Sequence, residues 1–269
     1  MKNSVSMTQV AATITDALNI PAPKEAAAPM PFVRMLFEKH KMEKAQKLLI
    51  YNPDAMGMWL FQKYTDLFAP VLKHTEVGVP VRSVLPSVTP VNFGSMYTGV
   101  EPAVHGIETY KKVLIKQESL FDCIEKSDLR IVYIATEDSS MSIIFQERNI
   151  DYIIVPKDED VNEKAKELIE ADLYDIYLVY NLEYDDCIHL THPESELSLS
   201  AMKHHINAFD TLCDLCEEKW KNYDSLVCWM TDHGIHKNEE GHGVHGADIE
   251  EDVNVMHFFG AWKGTTDAE

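Results

Sequence analysis

The sequence predicts an α/β protein of three layers, with a largely parallel central sheet between two layers of helices. Short apolar runs typical of strands alternate along the chain with longer amphipathic segments typical of helices, and this order favours parallel pairing. The chain has 269 residues, of which 45% are hydrophobic and 25% charged, which is enough to bury a large core. No linker divides it, so we predict a single domain over residues 1–269.

The first 45 residues are predicted to form a helix and an irregular arm. Apolar residues at helical spacing predict a helix over 8–19, and the Pro- and Ala-rich stretch 21–31 predicts the arm. The next apolar run, Leu48 to Tyr51, stops at Asn52-Pro53 and predicts a buried strand that leads into a helix near Ala55.

The rest of the chain repeats this alternation. Helices are predicted at 159–170 and 197–221, and a last strand at 253–262 is expected at an edge of the sheet. The other strand-like runs are 130–136, 151–156, 175–181 and 225–232.

The net charge excludes several classes of partner. Lys and Arg number 24 against 44 Asp and Glu, a formal charge of −20, so the surface repels duplex nucleic acid and anionic membranes. Five cysteines at irregular spacing do not indicate a disulfide framework. The sequence shows no secretory leader and no apolar run of about 18 residues. We therefore expect a cytoplasmic protein, with its oligomeric state left open.

Acidic and imidazole side chains follow the predicted strands. Because the carboxyl ends of parallel strands share one edge of a sheet, these side chains are expected to converge there. Oxygen and nitrogen ligands of this kind suit zinc, or iron or manganese, and six of them exceed the four ligands of a tetrahedral zinc. Two metal ions with about three protein ligands each are therefore predicted. The six residues are Asp54, Asp185, His189, Asp232, His233 and His245.

Each of these residues also has a simpler interpretation. Asp185 and His189 could form an ion pair within a helix, and His245 could belong to a polar loop that also contains His236 and His242. Their joint arrival after successive strands favours the metal site.

A candidate nucleophile lies in the segment 83–107, which is rich in turn formers and small residues before a helix. Such a segment can present a hydroxyl at a helix N-terminus, where N–H groups favour an anion. The alternative is a simple helix cap. The candidate hydroxyls are those of Ser83, Ser87, Thr89 and Ser95.

The motifs in this part of the chain resemble those of a known family. Thr89-Pro90-Val91-Asn92, the Thr98-Gly99 pair and His105-Gly106-Ile107 resemble the nucleophile segment of type I phosphodiesterases/nucleotide pyrophosphatases in the alkaline phosphatase superfamily. The order of the other motifs is also similar: an early Asp, then D-x-x-x-H, then D-H-G, and a late H-G. These motifs span residues 54–246, which implies an alkaline phosphatase-like fold.

The resemblance implies a role for each residue. Thr89 would attack phosphorus, Asn92 would donate to a phosphoryl oxygen, and water would then hydrolyse the phosphothreonine. Zinc is the usual metal of this family, and the substrate would be a small anionic phosphate ester. One ion would be held by Asp54, Thr89, Asp232 and His233, and the other by Asp185, His189 and His245.

Departures from the family pattern bear on the substrate. Pro90 and Val91 stand where an aromatic residue and a proline are usual, and the chain leaves no room for a large cap domain. We therefore expect substrate choice to depend on the arm at 21–31 and on the segment 55–68 with its aromatic residues. The absence of Lys and Arg between Arg82 and Lys111 favours diesters over monoesters.

Alternatives to a phosphodiesterase remain open. Phosphomonoesterase or phosphonate hydrolase activity would use the same site, and an inactive metal-binding interaction module would keep the same ligands. A sulfatase is disfavoured, because its modified Cys or Ser with a following Pro and Arg is absent.

Two further features are predicted to be structural. Cys213 and Cys216 lie on one predicted helix without a second pair and are expected to pack in the core. The acidic run 158–163 is expected to be the solvated start of a helix.

Overall fold

The computed structural model describes residues 1–265, which are organised around an eight-stranded sheet. The strand order is β1-β3-β10-β7-β2-β6-β4-β5, and only β10 runs antiparallel to its neighbours. The strands β8 and β9, of two residues each, pair antiparallel outside this sheet. The strands are β1 (Val5–Ser6), β2 (Lys47–Pro53), β3 (Val77–Arg82), β4 (Ile131–Thr136), β5 (Asp151–Val155), β6 (Ile176–Asn181), β7 (Ser225–Met230), β8 (His236–Lys237), β9 (Gly243–Val244) and β10 (Asn254–Trp262).

Helices cover both faces of the sheet, which confirms the predicted three-layer α/β architecture. The predicted helices near the N-terminus, before β6 and before β7 are all present as α1, α9 and α11. The α-helices are α1 (Val10–Leu18), α2 (Pro31–His40), α3 (Met58–Lys63), α4 (Ala69–His74), α5 (Thr89–Thr98), α6 (Pro102–His105), α7 (Leu120–Glu125), α8 (Met141–Ile144), α9 (Asp158–Glu170), α10 (Glu183–Leu190), α11 (Glu196–Lys219) and α12 (Glu250–Val253).

The central strand β2 shows how one apolar run serves both layers. All seven of its residues are buried, and successive side chains point to opposite faces of the sheet. Leu48 and Ile50 join the core beneath α1, α2 and α5, whereas Leu49 and Tyr51 join the core beneath α9 and α11. The run therefore lacks the polar alternation of a half-exposed strand.

Strand register brings three chain exits to the same edge. β2 pairs in parallel with β6 and with β7, so that Pro53 lies opposite Asn181 and Tyr51 lies opposite Trp229. The residues that follow these strands therefore emerge side by side, as the candidate metal site requires.

The last predicted strand does not lie at an edge. β10 is inserted between β3 and β7 and pairs antiparallel with both, and seven of its nine residues are buried. The edge prediction was wrong because strand order does not show in the hydrophobicity of a strand. β3 itself was not predicted, since Gly78 and Pro80 interrupt its short apolar pattern.

The N-terminal arm lies far from Thr89. The N–H of Ala27 donates to the carbonyl of Gly99 at 2.9 Å, and the N–H of Met30 donates to Thr13 Oγ1 at 2.8 Å. Gly99 follows the C-terminal end of α5, about 15 Å from the Thr89 end of that helix. The arm thus supports the C-terminal end of α5, and its role in substrate choice stays a prediction.

The aromatic residues of segment 55–68 also serve packing. Phe61 stacks edge-on against Phe68 and Phe258, and Trp59 Nε1 donates to the carbonyl of Ile235 at 2.8 Å.

Within residues 1–265, no helix combines the length and apolarity needed to cross a membrane.

Candidate metal centre

The structure brings seven of the eight predicted site residues together at the carboxyl edge of the sheet. Six of them form two groups of three, and within each group the ligand atoms lie within 4.8 Å of one another. The groups contain the same Asp and His residues as the two sets that the family resemblance implied, and Thr89, the fourth member of the first set, adjoins the buried group through His233. The buried group is Asp54, Asp232 and His233, and the open group is Asp185, His189 and His245.

The buried group sits on the ends of β2 and β7. His233 Nε2 lies 3.3 Å from Asp54 Oδ1 and 3.3 Å from Asp232 Oδ2. Ala55 takes a left-handed conformation with φ of 61°, and its N–H donates to Asp232 Oδ1 at 3.2 Å. The turn after β2 thereby fixes the carboxylate that follows β7.

The open group is built on α10 and on the loop after β9. Asp185 lies in the first turn of α10, where its Oδ2 is 3.4 Å from His189 Nε2 one turn later. His245 Nε2 lies 3.6 Å from Asp185 Oδ1 and 3.2 Å from His189 Nε2. The two groups adjoin, since the rings of His233 and His245 stack with centroids 4.0 Å apart.

All three imidazoles are held in the same way. The Nδ1 atom of each ring lies 2.9–3.2 Å from a backbone carbonyl, that of Gly234 for His233, Gly243 for His189 and Ser87 for His245. A carbonyl can only accept, so each Nδ1 carries the proton and each Nε2 keeps its lone pair facing the carboxylates. This is the arrangement that orients histidines as metal ligands.

The carboxylates fit the same interpretation. Asp54 Oδ1, Asp185 Oδ1 and Asp232 Oδ2 are buried and have no hydrogen-bond partner within residues 1–265. A buried carboxylate oxygen without a donor is costly, and a divalent cation would satisfy it. The residues present therefore fit the pair of cations that the family pattern implies.

The electrostatics of the two groups differ. Burial, reinforced by the charge of Asp232, raises the pKa of Asp54 well above its usual range. Burial also raises the pKa of Asp232. Burial acts in the same direction on Asp185, but the hydrogen bond to His189 and the other imidazoles outweigh it and lower that pKa.

The imidazoles of the open group shift in opposite directions. Burial and the neighbouring His233 lower the pKa of His245 to about 3, so its ring stays neutral at physiological pH. The hydrogen bond to Asp185 raises the pKa of His189, whose side chain is 45% exposed.

Thr89 is the candidate nucleophile that faces the cluster. It is the first residue of α5, and its Oγ1 lies 3.2 Å from His233 Nε2. The other three candidate hydroxyls bond elsewhere: Ser83 to the Asp232 carbonyl, Ser87 to the Ala247 carbonyl and Ser95 to His105 Nε2.

Asn92 is not directed toward the cluster. Its Oδ1 accepts the N–H of Val84 at 2.8 Å, and its Nδ2 lies 3.2–3.4 Å from the carbonyls of Val84, Pro86 and Val88. Both amide hydrogens thus have acceptors in the loop before α5, which gives the proposed phosphoryl contact no support. Asn92 instead holds the loop that carries Thr89.

The backbone donors expected near residues 90–92 are also occupied. Pro90 has no N–H, and the N–H groups of Val91 and Asn92 both point to the Val88 carbonyl. Thr89 is the first residue of the helix, where N–H groups lack an intrahelical acceptor.

Two residues that support the site were missed from the sequence. Tyr180, at the end of β6, donates its hydroxyl to Asp54 Oδ2. Asp252 is fully buried and accepts from the N–H of Ala247 at 2.9 Å, next to the His245 loop. Tyr180 lies within an apolar strand pattern and Asp252 within an acidic surface-like run, so neither gave a signal.

Outside this centre, the structure confirms the prediction for the two cysteines but not the prediction for the start of the acidic run. All five cysteines are free and buried, so the core-packing prediction for Cys213 and Cys216 is confirmed. The start of the acidic run is not solvated, because Asp158 is only 9% exposed. In a third group, His74 with Asp214 and Glu217, the Nδ1 of His74 lies 2.8 Å from Glu217 and its Nε2 lies 2.8 Å from Asp210.

This fold, with its metal-ligand set, defines an alkaline phosphatase-like α/β protein. Residues 48–128 match the family model of type I phosphodiesterase/nucleotide pyrophosphatase. The match covers the segment that contains Asp54 and Thr89, and it confirms the resemblance found in the sequence. No curated protein matches the sequence.

Solved structures share the fold at low sequence identity. An inactive variant of murine ectonucleotide pyrophosphatase/phosphodiesterase 5, in complex with AMP, aligns at 19% identity and a TM-score of 0.57, over 72% of this chain and 59% of that one. The C-terminal periplasmic domain of Campylobacter jejuni phosphoethanolamine transferase aligns at 16% identity and a TM-score of 0.58, over 81% of this chain and 80% of that one. Phosphonoacetate hydrolase from Sinorhizobium meliloti aligns at 16% identity and a TM-score of 0.52, over 71% of this chain and 57% of that one. The chain thus spans about three fifths of the length of the first and the third.

Proposed function

We propose that this protein is a metal-dependent hydrolase of phosphate esters in which Thr89 is the nucleophile and two divalent cations, zinc by the donor set, are bound. The observation that carries the proposal is the position of Thr89 Oγ1, 3.2 Å from His233 Nε2 at the edge of the buried group. Each of the three carboxylates in the two groups keeps one buried oxygen without a donor within residues 1–265, and cations bound there would activate the buried Thr89 hydroxyl for attack on an electrophile.

The cations would be held by the two groups and would supply Lewis-acid stabilisation of phosphoryl oxygens and a lower pKa for the Thr89 hydroxyl. The ligand set carries three carboxylates and three imidazoles, so two dications would leave a local charge near +1. An anionic ester is therefore attracted to this site even though the whole chain carries −20.

The reaction at Thr89 proceeds in two displacements. Its Oγ forms a bond to phosphorus as the ester P–O bond breaks, and the proton of the hydroxyl ends on the departing alcohol. Water then attacks phosphorus, and the Thr89 oxygen leaves and takes up a proton again. Asn92 acts by holding the loop, so that the hydroxyl stays aimed at phosphorus.

The charges around the site favour diesters or nucleotide pyrophosphates over monoesters. Between Ser83 and Tyr110 the chain carries no Lys or Arg. Of the two lysines that follow, Lys111 is exposed, and Lys112 donates to the Asp138 carbonyl. A dianionic monoester lacks the additional cationic contacts that its second charge requires.

Thr89→Ala and Thr89→Ser test the proposal. Removing the hydroxyl is expected to lower kcat for a nitrophenyl phosphodiester by at least about 10³-fold, whereas a serine keeps an attacking oxygen and retains measurable turnover. Thr65→Ala is the matched control, because Thr65 is exposed and its hydroxyl bonds only within its own helical turn. Metal content is measured on every variant.

Each outcome has a distinct meaning. Trapping on Thr89 of the phosphoryl group with the ester substituent that remains after the first alcohol leaves, seen by mass spectrometry after an acid quench, would support the covalent step. A metal-loaded wild type that hydrolyses neither monoester nor diester, and behaves like Thr89→Ala, would leave the inactive binding module as the better explanation. Faster turnover of a nitrophenyl monoester or of a phosphonate would move the substrate class to the alternatives.

A further inference from the structure

A short hairpin, made of β8, β9 and the loop between them, connects the two groups of metal ligands. The chain enters this β8–β9 hairpin just after His233, a ligand of the buried group, and leaves it at His245, a ligand of the open group. The Gly243 carbonyl of the hairpin lies 3.2 Å from Nδ1 of His189, the other imidazole of the open group. The position of the hairpin therefore bears on all three imidazoles of the centre.

The backbone of α12 holds the entering end of this hairpin. The N–H of Gly234 donates to the Asp252 carbonyl at 2.7 Å, and the N–H of Ile235 donates to the Glu251 carbonyl at 3.0 Å. The approach is close, since a Cβ added to Gly234 would lie 2.0 Å from the Glu251 carbonyl oxygen. The residue after His233 is thus fixed by main-chain contacts that do not involve a side chain of α12.

The side chain of Asp252 holds the hairpin at two further points. It is fully buried, and its Oδ1 lies 2.7 Å from Nδ1 of His236, the first residue of β8. Its Oδ2 accepts the N–H of Ala247 at 2.9 Å. An ionised carboxylate can only accept, so the proton of the first contact lies on His236. One side chain thus joins the start of the hairpin to the loop that follows it.

The loop that carries His245 depends on contacts from outside its own segment. His245 Nδ1 lies 2.9 Å from the Ser87 carbonyl, and the Ser87 hydroxyl donates to the Ala247 carbonyl at 3.4 Å. The bond from the Ala247 N–H to Asp252 is shorter than this hydroxyl contact, and its acceptor is charged. Hydrogen bonds to a charged partner are stronger than neutral ones, so Asp252 is a principal support of this loop.

We propose that Asp252 is a positioning residue for the open half of the metal centre, where it keeps His245 aimed at the cation by holding the Ala247 N–H. The inference rests on the pair of cations in the proposed function. The buried half depends on the Asp252 carbonyl, which every variant of this side chain keeps. A change in the side chain should therefore weaken one cation and spare the other.

Zinc binding to the intact chain, measured by elemental analysis after dialysis against buffered free Zn²⁺, tests the proposal. Asp252→Ala removes both side-chain contacts. We expect the open half to bind its cation at least about tenfold more weakly, because the loss of a group that orients a metal ligand typically costs about 10–100-fold in affinity. The buried half should bind as in the wild type. His189→Asn, which lacks a ligand of the open half, identifies the step of the titration that belongs to that half.

Asp252→Asn separates the position of the loop from the charge of the carboxylate. The asparagine keeps an oxygen that can accept from the Ala247 N–H. Its amide can donate to Nδ1 of His236 once that ring carries its proton on Nε2. We therefore expect this variant to bind both cations nearly as well as the wild type. Glu251→Gln is the matched control, since it removes the same charge from the neighbouring exposed side chain of α12 and should change neither step.

Several outcomes would overturn the proposal. Equal weakening in Asp252→Ala and Asp252→Asn would mean that the buried charge, and not the position of the loop, sets the affinity. Loss of both cations in Asp252→Ala would mean a general structural role. Two cations bound by Asp252→Ala as tightly as by the wild type would overturn this inference alone, whereas a wild type that binds no zinc would overturn the proposed function together with it.

His236→Ala carries the test if Asp252→Ala fails to fold by circular dichroism. This variant removes the partner that holds Oδ1 of Asp252, so the open half should bind its cation severalfold more weakly. His242→Ala is its control, because His242 is an exposed imidazole in the loop of the same hairpin. Equal zinc binding by His236→Ala and His242→Ala would overturn the proposal.

Discussion

The two halves of the metal centre use similar ligands in very different surroundings. In the buried group the side chains of Asp54, Asp232 and His233 are at most 2% exposed. In the open group the exposed fraction is 6% for His245, 15% for Asp185 and 45% for His189. Thr89 contacts the buried half. The half beside the proposed nucleophile is therefore closed, and in the proposed mechanism the half that faces solvent would serve the water-consuming step.

The supporting elements differ in the same direction. Asp54 and Asp232 follow central strands of the sheet and are tied together through the N–H of Ala55. His245 lies in a glycine-rich loop, and it is positioned by one bond to the Ser87 carbonyl. Side chains on strand ends are held more rigidly than side chains on loops. We therefore expect the open half to exchange its cation much more readily.

The largest effect on activity is expected from substituting one metal-ligand residue in each half. Asp232→Asn keeps the shape but removes a charge from a fully buried ligand, so kcat for a phosphodiester should fall by about 10³-fold or more and the cation of that half should be lost. His189→Asn removes an exposed ligand, so one cation should be lost but activity should recover at millimolar metal. Elemental analysis and turnover against metal concentration measure both.

Equal recovery of the two variants in excess metal would contradict the proposed asymmetry. His192→Asn serves as a control. His192 follows α10, the helix that carries His189, and it belongs to neither of the two metal-ligand groups.

Chelation should lower the thermal stability as well as the activity. Without cations, the buried oxygens Asp54 Oδ1 and Asp232 Oδ2 have no partner and their charges repel. For a chain of this size about 1 kcal/mol corresponds to 2–4 °C, so a fall in Tm of several degrees is expected in excess chelator. Differential scanning calorimetry measures it, and Asp232→Asn should show a smaller fall. An unchanged Tm of the wild type would mean that the carboxylates are not crowded.

Much of this arrangement was predictable because it follows from the ends of strands. The runs that became β2, β6 and β7 are continuous and apolar, so the polar residues after them, Asp54 and Asp232 among them, could be assigned to one edge of the sheet. The position of β10 was not predictable, since antiparallel insertion between β3 and β7 depends on long-range pairing that leaves no periodic signal.

The missed parts of the site share a physical reason. Asn92 carries the right chemistry at the right spacing, but its bonds to the 84–88 loop are visible only in three dimensions. Tyr180 lies in an apolar strand pattern and Asp252 in an acidic run, and burial by distant elements cannot be seen locally. The local sequence indicates which helix or strand carries a side chain, but it gives little indication of which distant residues that side chain contacts.

The smallest expected effect is the pH dependence of the metal-free chain. Burial raises the pKa of Asp54 and Asp232, so the folded state binds more protons than the unfolded state once the pH exceeds about 4. The stability that protonation gives is complete below that pH, and it is lost as the pH rises through the raised pKa values. Asp185 has the opposite sign, because its lowered pKa favours folding above its usual titration range.

The buried half should dominate this balance, since two of the three carboxylates lie there. Burial lowers the pKa values of four other imidazoles, those of His105, His205, His245 and His257, to about 3 or 4, which adds a rise in stability up to about pH 6.5 in every variant. The test is therefore a comparison of the metal-free wild type with metal-free Asp232→Asn between about pH 5 and pH 8. As the pH rises, the free energy of unfolding in urea should fall in the wild type relative to the variant. Metal-loaded protein should not show this fall, because the cations keep the carboxylates ionised in the folded state. Asp232→Asn should flatten the slope of the metal-free chain. A stability of the metal-free wild type that instead rises relative to Asp232→Asn over the same range would show that the open half, through Asp185, controls the electrostatics of the centre.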